Sequence, residues 1–301
     1  MKMLKKESVP VIESRKTHFA VPAVVLAVAL IFIIIHAAMG NGMFNYGVEF
    51  VGGTSIRVDF RQAISIDDVS AIVQDITGQN PRIQTVDNDQ TLQIRLLSID
   101  AETRIALIAA LAESYPQIDH AGIEIVDVSA TVSGEMQRTA VIAVAVALAA
   151  MFIYIAFRFR DTKIGLSTII SLLVNTLALV GFYAIARVPL NESFIVVILT
   201  ILGYSVNNTI IIFDRLRENR KLLPRATHAE LVNQSVAQSL TRTVYTTLTT
   251  SLVVLCLLIF GVSSIRQFAA PILFGILFGT YMSLCFSGSV LYALSTRAKK
   301  A

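Results

Sequence analysis

Hydrophobic residues of this chain occur in six long runs, separated by polar segments. Each run is close to the ~20 apolar residues that a helix needs to cross the hydrocarbon core of a bilayer. The predicted spans lie at 19–40, 139–157, 164–186, 194–213, 244–261 and 268–294. The pattern therefore predicts an α-helical integral membrane protein with six transmembrane helices, the last five of them within residues 138–297.

The polar segment 41–137 has the pattern of a small folded domain. Ile56, Val58 and Phe60 alternate with polar residues, which indicates a strand with one buried face. The other predicted elements are helices at 66–77 and 101–114 and strands at 82–86, 91–97 and 122–128. The order β-α-β-β-α-β is that of a ferredoxin-like fold. We therefore expect a small α+β ferredoxin-like domain between the first two spans.

The distribution of charge predicts the orientation. Residues 41–137 carry a net charge of −9, and the rest of the chain carries +13. The short loops on one side of the predicted membrane hold most of the Lys and Arg residues, whereas those on the other side hold only Arg187 and Arg266. The positive-inside rule then places the ends 1–18 and 298–301 and the loop 214–243 in the cytoplasm, and the domain 41–137 outside it.

Composition excludes several classes of function. The chain is 54% hydrophobic, its two cysteines lie in apolar spans, and its four histidines are scattered without metal-ligand spacing. It contains neither a nucleophile with its base nor a phosphate-binding loop motif. The charge asymmetry follows membrane sidedness and does not indicate nucleic acid. We expect no enzymatic activity, no cofactor and no metal site.

The fourth span contains an unusual number of polar residues. Polar side chains in hydrocarbon must find partners within the protein, and they mark a functional site by default. The alternative is that these side chains only form hydrogen bonds between packed helices. The fourth span and the charged segment after it contain these residues of interest: Gly203, Tyr204, Ser205, Asn207, Thr209, Phe213, Asp214, Arg215, Arg217, Glu218 and Asn219.

This set, read as Gly-Tyr-Ser-x-Asn-x-Thr followed by Phe-Asp-Arg-x-Arg-Glu-Asn, resembles the fourth-helix signature of the SecF family, a subunit of the SecDF accessory complex of bacterial protein export. The stretch 231–243 resembles the family's entry into the fifth helix. A third motif after the first span is also similar to the family, and it consists of Gly47, Glu49, Phe50, Gly52, Gly53 and Thr54.

The resemblance implies half of a twelve-span transporter of the RND superfamily, in the bacterial inner membrane. It implies a subunit that assists protein translocation, with SecD, the SecYEG translocon and the exported polypeptide as partners, together with YidC and YajC. In the family, this assistance to protein translocation is linked to the proton-motive force. Two alternatives stay open: a non-pumping structural subunit that stabilises SecD and the translocon, and an RND-type exporter half for small molecules.

The chain departs from the family pattern at the two intramembrane relay positions. The family shows His-Asp in the third span and Asn-Asp in the fourth, where this chain has Val174-Asn175 and Asn207-Asn208. An amide keeps the size and hydrogen bonding of Asp but does not bind and release a proton near neutral pH. Arg242 matches a family arginine that faces the relay carboxylate; the alternative is that its side chain only extends from the end of the fifth span to the interface. We expect coupling to be weakened here or carried by SecD and, if Arg242 faces inward, a carboxylate from another chain to face it.

Overall fold

A computed structural model of the chain describes residues 9–40, 42–87, 90–119 and 122–297. Its long helices are α1 (Arg15–Ala38), α5 (Ala130–Phe159), α6 (Thr162–Ile185), α7 (Glu192–Leu222), α8 (His228–Phe260), α9 (Ser263–Tyr281) and α10 (Ser287–Arg297). A π-helical turn, Met282–Phe286, joins α9 to α10. Six helical stretches of the described residues are long and apolar enough to cross a membrane, which agrees with the six predicted spans.

The chain divides into two compact units. The helical unit comprises the described residues of 1–45, 142–189 and 193–301. The mixed unit comprises the described residues of 46–141 and 190–192. It contains the short helices α2 (Val48–Val51), α3 (Ile66–Thr77) and α4 (Ala101–Ser114), and the strands β1 (Gly53–Asp59), β2 (Arg82–Asp87), β3 (Thr91–Leu96) and β4 (Glu124–Val128).

The four strands of the mixed unit form one antiparallel sheet in the order β2-β3-β1-β4. The inward positions of β1 and β3, such as Ile56 opposite Ile94, pack against Val69 of α3 and Leu107 of α4 in one apolar core. This is the arrangement expected of a ferredoxin-like βαββαβ domain, so the predicted fold is confirmed. The predicted polar connection at 88 and 89 lies outside the described residues.

Several local signals in the sequence match the helix ends of the structure. Gly78 ends α3 in the left-handed conformation, with φ of 67°. The Asp100 side chain accepts a hydrogen bond from the Thr103 N–H at the start of α4. Thr227 and Glu230 form a capping box at the start of α8. The turn α2 was not predicted, because four residues are too short to show a helical period.

The glycine pair of the motif after the first span connects α2 to β1. Gly52 has φ of 76° and Gly53 has φ of 120°, both outside the range that other residues adopt readily. A Cβ atom at Gly53 would lie 2.2 Å from the main-chain oxygen of Leu96 in β3. Only glycine therefore allows the chain to turn here and enter the sheet beside β3.

The helical unit has three well-packed spans and three exposed ones. Half of the most apolar stretch is buried in α6, in α7 and in α9 with α10, against 11% in α1, 11% in α5 and 17% in α8. The small residues Gly275 and Gly279 of α9 face Ile201 and Ser205 of α7, where added Cβ atoms would lie 2.6 and 2.4 Å from the nearest side-chain atoms. Close approach of α7 and α9 therefore positions the polar residues of both helices against each other.

Candidate functional site

The first of the two amide positions, Asn175, lies where α6, α7 and α9 meet. Its side chain is 1% exposed, and its Nδ2 donates a hydrogen bond to Ser205 Oγ of α7 at 2.9 Å. Gly279 of α9 leaves room for this pair, because a Cβ there would lie 2.8 Å from Asn175 Nδ2. The amide is therefore held by two neighbouring helices.

One turn further along α7, Thr209 extends the polar contacts to the π-helical turn. Its hydroxyl lies 2.9 Å from the main-chain oxygen of Ser205 and 3.0 Å from Ser283 Oγ. The Ser283 hydroxyl in turn lies 3.2 Å from that same Ser205 oxygen. A π-helical turn often accompanies a functional site, since it redirects side chains within a helix. Here it brings a hydroxyl of the last span against the signature segment of α7.

The second amide position, Asn208, belongs to a separate row of polar contacts. Its side chain is fully buried, and Nδ2 donates to Thr280 Oγ1 at 3.3 Å. Thr280 lies 2.9 Å from Thr247 Oγ1 of α8, and the Tyr204 hydroxyl donates to Thr247 at 3.1 Å. This row joins three spans through amide and hydroxyl side chains.

The Oδ1 atoms of both amides are buried, and neither has a hydrogen-bond partner among the described residues. No Asp or Glu of the described residues lies within the predicted spans. The described carboxylates of the helical unit lie outside the predicted spans, as Asp161 does at the start of α6 and Asp214 does in the part of α7 beyond residue 213. The site can therefore donate and accept hydrogen bonds at membrane depth, but its own side chains offer no carboxyl group for proton exchange.

Arg242 lies in a cleft between α7 and α8, and its side chain is exposed. The cleft has a volume of about 490 Å³ and is lined by Asn207, Ile210, Ile211, Asp214, Arg215, Glu218, Gln238, Ser239 and Arg242. Its lining includes Asn207 and not the neighbouring Asn208. The described residues show neither a hydrogen bond between Arg242 and Asn208 nor an ion pair of Arg242.

The charged residues that follow the fourth span form ion pairs at one end of the helical unit. Arg158 of α5 lies 3.1 Å from Asp214, and Arg220 lies 3.1 Å from Asp161. Arg215 pairs with Glu218 one turn along α7 at 2.5 Å. Arg217 is exposed. Asp214 is thus paired with an arginine of a neighbouring helix.

The last signature residue, Asn219, joins α7 to α8. It is 3% exposed, and its Nδ2 donates to Ser235 Oγ at 2.9 Å and to Gln238 Oε1 at 3.1 Å. Phe213, also buried, meets the ring of Phe159 edge to face at 6.3 Å between centroids. These two residues act in packing the helices around the charged end.

The family model "Protein export membrane protein SecD/SecF, C-terminal" matches residues 107–297, which is more than half of the chain. The chain belongs to the SecD/SecF family. The model "SecD/SecF GG Motif" matches residues 44–64.

Among relatives, the protein translocase subunit SecF of Haemophilus influenzae is 30% identical over 285 residues, covering 94% of this chain and 85% of the relative. The protein translocase subunit SecDF of Thermus thermophilus is 32% identical over 262 residues, or 85% of this chain and 35% of that one. A crystal structure of SecDF from Thermus thermophilus, titled a translocon-associated membrane protein, superposes with a TM-score of 0.84 at 30% identity. It covers 98% of this chain, which spans 40% of the length of that structure.

The GG-motif segment of this family member is fixed by contacts inside the mixed unit. The Gly47 N–H donates to the main-chain oxygen of Leu190 at 2.9 Å, so 190–192 packs beside the motif. Gln137 donates to the Phe50 main-chain oxygen. Thr54 donates to Asp127 Oδ1 at 3.2 Å and is fully buried. The motif therefore shapes the domain, through one main-chain hydrogen bond and two that involve side chains.

Glu49 is the titratable residue of this motif. Its carboxylate folds back over Gly47, where a Cβ would lie 2.2 Å from Glu49 Oε2 and 2.9 Å from the Leu190 oxygen. Burial raises the pKa of Glu49, and the nearby charge of Glu192 raises it further, while its own main-chain hydrogen bond and Arg95 oppose the shift. The protonated form of this carboxyl is therefore favoured more than in an exposed glutamate.

Sequence reasoning did not identify Thr280 as the partner of Asn208, nor Asn233 as a residue with a specific contact. Thr280 stands in an apolar span with no local signal, and its role depends on which helix packs beside α7. Asn233 lay within a recognised motif, but its partners are more than 200 positions away in the sequence. Both omissions have the same cause, because single-sequence patterns do not specify which helices pack together.

Proposed function

We propose that this chain is a SecF-type subunit of a SecDF accessory complex that assists protein translocation across the cytoplasmic membrane. The observation that carries the proposal is its likeness, over almost its full length, to one part of SecDF at a TM-score of 0.84. The Gly-Tyr-Ser segment and the GG motif fall in the corresponding order. In this role the subunit moves polypeptide and carries out no covalent chemistry.

The proposal assigns a SecD-type chain as the first partner. This chain spans 35% and 40% of the SecDF sequence and structure from Thermus thermophilus, which leaves room for a second, larger part. Apolar faces of α1, α5 and α8 are exposed, as expected for helices that meet lipid or another subunit. The SecYEG translocon, the exported polypeptide, YidC and YajC are the further partners in this proposal.

The proposed orientation places both termini in the cytoplasm of a bacterial cell and the mixed unit on the outer side of its inner membrane. The Lys and Arg residues near Arg158, near Arg220 and near Arg297 support it, since they flank one set of span ends. The acidic mixed unit then stands where exported polypeptide emerges.

Coupling to the proton-motive force belongs, in this proposal, to carboxylates of the SecD-type partner. Asn175 and Asn208 are buried amides, and the described helical unit has no carboxylate at membrane depth to replace the family's aspartates. Arg242 is exposed in an open cleft beside Asn207 and has no acidic partner within 4.0 Å among the described residues. A carboxylate of the partner's helix would complete this cleft.

The first experiment is purification of a tagged chain from native membranes in mild detergent, followed by mass spectrometry of what accompanies it. Recovery of a SecD-type chain with channel subunits is the expected result. Recovery of the chain alone as a homo-oligomer, or with a periplasmic adaptor protein, would contradict the proposal and favour a small-molecule exporter.

A second candidate function is a structural subunit that stabilises SecD and the translocon without taking part in energy conversion. The two amides favour it, since they hydrogen-bond to neighbouring helices and do not titrate. Under this function, Asn208→Ala reduces the recovery of the complex, and the residual secretion is no more sensitive to an uncoupler than that of the wild type. A secretion defect of Asn208→Ala that grows with uncoupler would exclude it.

A further inference from the structure

Two residues of the segment before α1 are buried although they precede the first span. Val11 is 1% exposed and Ile12 is 2% exposed, which is as deep as the core of either unit. Residues buried to this degree at the edge of a fold are normally held by specific contacts, because chain ends are otherwise poorly ordered. The segment 9–14 is called the N-terminal strap below.

Asn233 of α8 directs all its side-chain hydrogen bonds to this strap. Its Oδ1 accepts from the main-chain N–H groups of Val11 and Ile12, both at 3.0 Å. Its Nδ2 donates to the Glu13 carboxylate, at 3.1 Å to Oε1 and 2.8 Å to Oε2. Two N–H donors on one side and a carboxylate on the other fix the orientation of the amide, since the reverse orientation would place donor against donor.

The part of α8 that holds the strap is also held on two other sides. Asn219 of α7 bonds to Ser235 and Gln238 of α8. The ring of Tyr292 in α10 stacks on His228 at 6.0 Å between centroids, and the Arg15 guanidinium lies 5.6 Å from the centre of that same ring. The strap, α7 and α10 therefore enclose the start of α8.

The cleft that contains Arg242 begins on the same helix, a short distance beyond this enclosure. Gln238, Ser239 and Arg242 lie on α8 within three turns of Asn233 and line the cleft. The spanning part of α8 is 17% buried and is joined to α7 and α9 through Thr247, which bonds with Tyr204 and Thr280. The contacts at the start of α8 add restraint beside the cleft itself.

We propose that Asn233 is a positioning residue that clasps the N-terminal strap to the start of α8 and so holds the cleft-lining face of α8 against α7. Its effect on translocation rests on the function proposed above, whereas the clasp itself does not. With a carboxylate at Glu13 an amide is required at position 233, because an aspartate there would face Glu13 as a like charge.

The experiment exchanges the donor and acceptor of the clasp. Asn233→Asp places a carboxylate opposite the Glu13 carboxylate. The double variant Asn233→Asp with Glu13→Gln again places an amide donor opposite a carboxylate acceptor, with the amide now at position 13 and the carboxylate at position 233. Gln234→Glu is the matched control, because it adds the same charge to the adjacent, half-buried position of α8. Each variant is made with Val11→Cys as a reporter, after Cys256 and Cys285 have been replaced by alanine.

The first readout is the rate at which a maleimide labels the cysteine at position 11 in the purified full chain. We expect Asn233→Asp to raise this rate about tenfold, because labelling reports the fraction of molecules with the strap released. The double variant should return to within about twofold of the starting rate, and Gln234→Glu should leave it unchanged. Equal rates in all variants, or a double variant that labels as fast as Asn233→Asp, would overturn the proposal.

The second readout is protein translocation by membranes that contain the complete complex. Loss of translocation in Asn233→Asp and its recovery in the double variant are expected if the clasp positions the cleft. General misfolding would not be repaired by a second substitution. Translocation that stays unchanged while labelling rises would overturn the positioning role. Failure of the proposed function would appear separately, as absence of a SecD-type partner, and would not alter the labelling rates.

Discussion

At the residue scale, Asn175 and Asn208 show what an amide can do at membrane depth. An ionised aspartate at the centre of a span costs about 2.5–3.5 kcal/mol, and an amide avoids this cost. Each amide keeps one hydrogen bond to a hydroxyl of another helix, at Ser205 and at Thr280. The two positions therefore provide hydrogen bonds between helices without carrying a charge.

The small residue beside Asn175 gives the first prediction. Gly279→Ala would bring a Cβ to 2.4 Å from Ser205 Oγ and 2.8 Å from Asn175 Nδ2, so the pair must separate. We expect a loss of about 1–3 kcal/mol in unfolding free energy, seen as a lower midpoint in thermal unfolding of the detergent-purified chain. Gly203→Ala is the control, since a Cβ there meets nothing within 4 Å and should be neutral or stabilising. Equal midpoints would contradict the tight contact.

The GG motif gives a second prediction at this scale. Gly53→Ala would combine a φ of 120° with a Cβ 2.2 Å from the Leu96 oxygen, and we expect it to cost about 3 kcal/mol. Gly78→Ala shares the positive φ but meets nothing within 4 Å, so it should cost only about 1–2 kcal/mol. The loss of stability in each variant is measured in the full chain by hydrogen exchange of peptides from β1 and β3. Similar exchange in the two variants would show that space at Gly53 is not limiting.

The Glu49 carboxyl gives a prediction of pH dependence. Because burial raises its pKa in the folded state above the unfolded value, the folded chain binds this proton more tightly. The contribution to stability is therefore complete below the unfolded pKa of about 4.5 and is lost as the pH rises through the folded pKa. Glu49→Gln should stabilise the chain at about pH 8 more than at about pH 5, measured by thermal unfolding. Glu113→Gln, at an exposed position of α4, should reproduce the wild-type pH dependence.

At the element scale, α7 and α9 pack in a register that repeats every four residues. Ile201 faces Gly275, Ser205 faces Gly279 and Thr209 contacts Ser283. The sequence shows the small residues of α9 as one face, because four residues are close to one helical turn. It does not show that α7 is the helix they meet, since every span of this protein is apolar enough to be a partner.

The hydrogen bonds between α7 and α8 give the prediction at this scale. Asn219→Ala removes two hydrogen bonds that join the helices, to Ser235 and to Gln238. We expect a loss of about 1–3 kcal/mol and faster hydrogen exchange across residues 219–243. The matched variant Asn207→Ala, at an exposed position of α7, should change stability by no more than about 0.5 kcal/mol. An exchange pattern for Asn219→Ala that matches the wild type would exclude the role.

At the scale of the whole molecule, the sequence predicts the elements well and their long-range contacts poorly. Length and hydropathy define six spans, and alternation defines the strands of the ferredoxin-like sheet, because both signals are local. The contact of Asn233 with the strap and that of Asn208 with Thr280 join residues far apart in sequence. Such contacts depend on the packing of whole helices, which the period of a single helix does not encode.

The open cleft around Arg242 leads to the last prediction. In the isolated chain Arg242 has no ion pair among the described residues, so Arg242→Gln should leave its thermal stability within about 0.5 kcal/mol of the wild type. In the complex with a SecD-type partner the same variant should lose translocation, because a partner carboxylate facing the cleft would then lack its cation. Arg158→Gln provides the contrast, since it breaks the 3.1 Å pair with Asp214 inside this chain and should lower stability by up to about 1 kcal/mol whether or not the partner is present. Translocation by Arg242→Gln at the wild-type rate would show that Arg242 does not face a carboxylate of the partner.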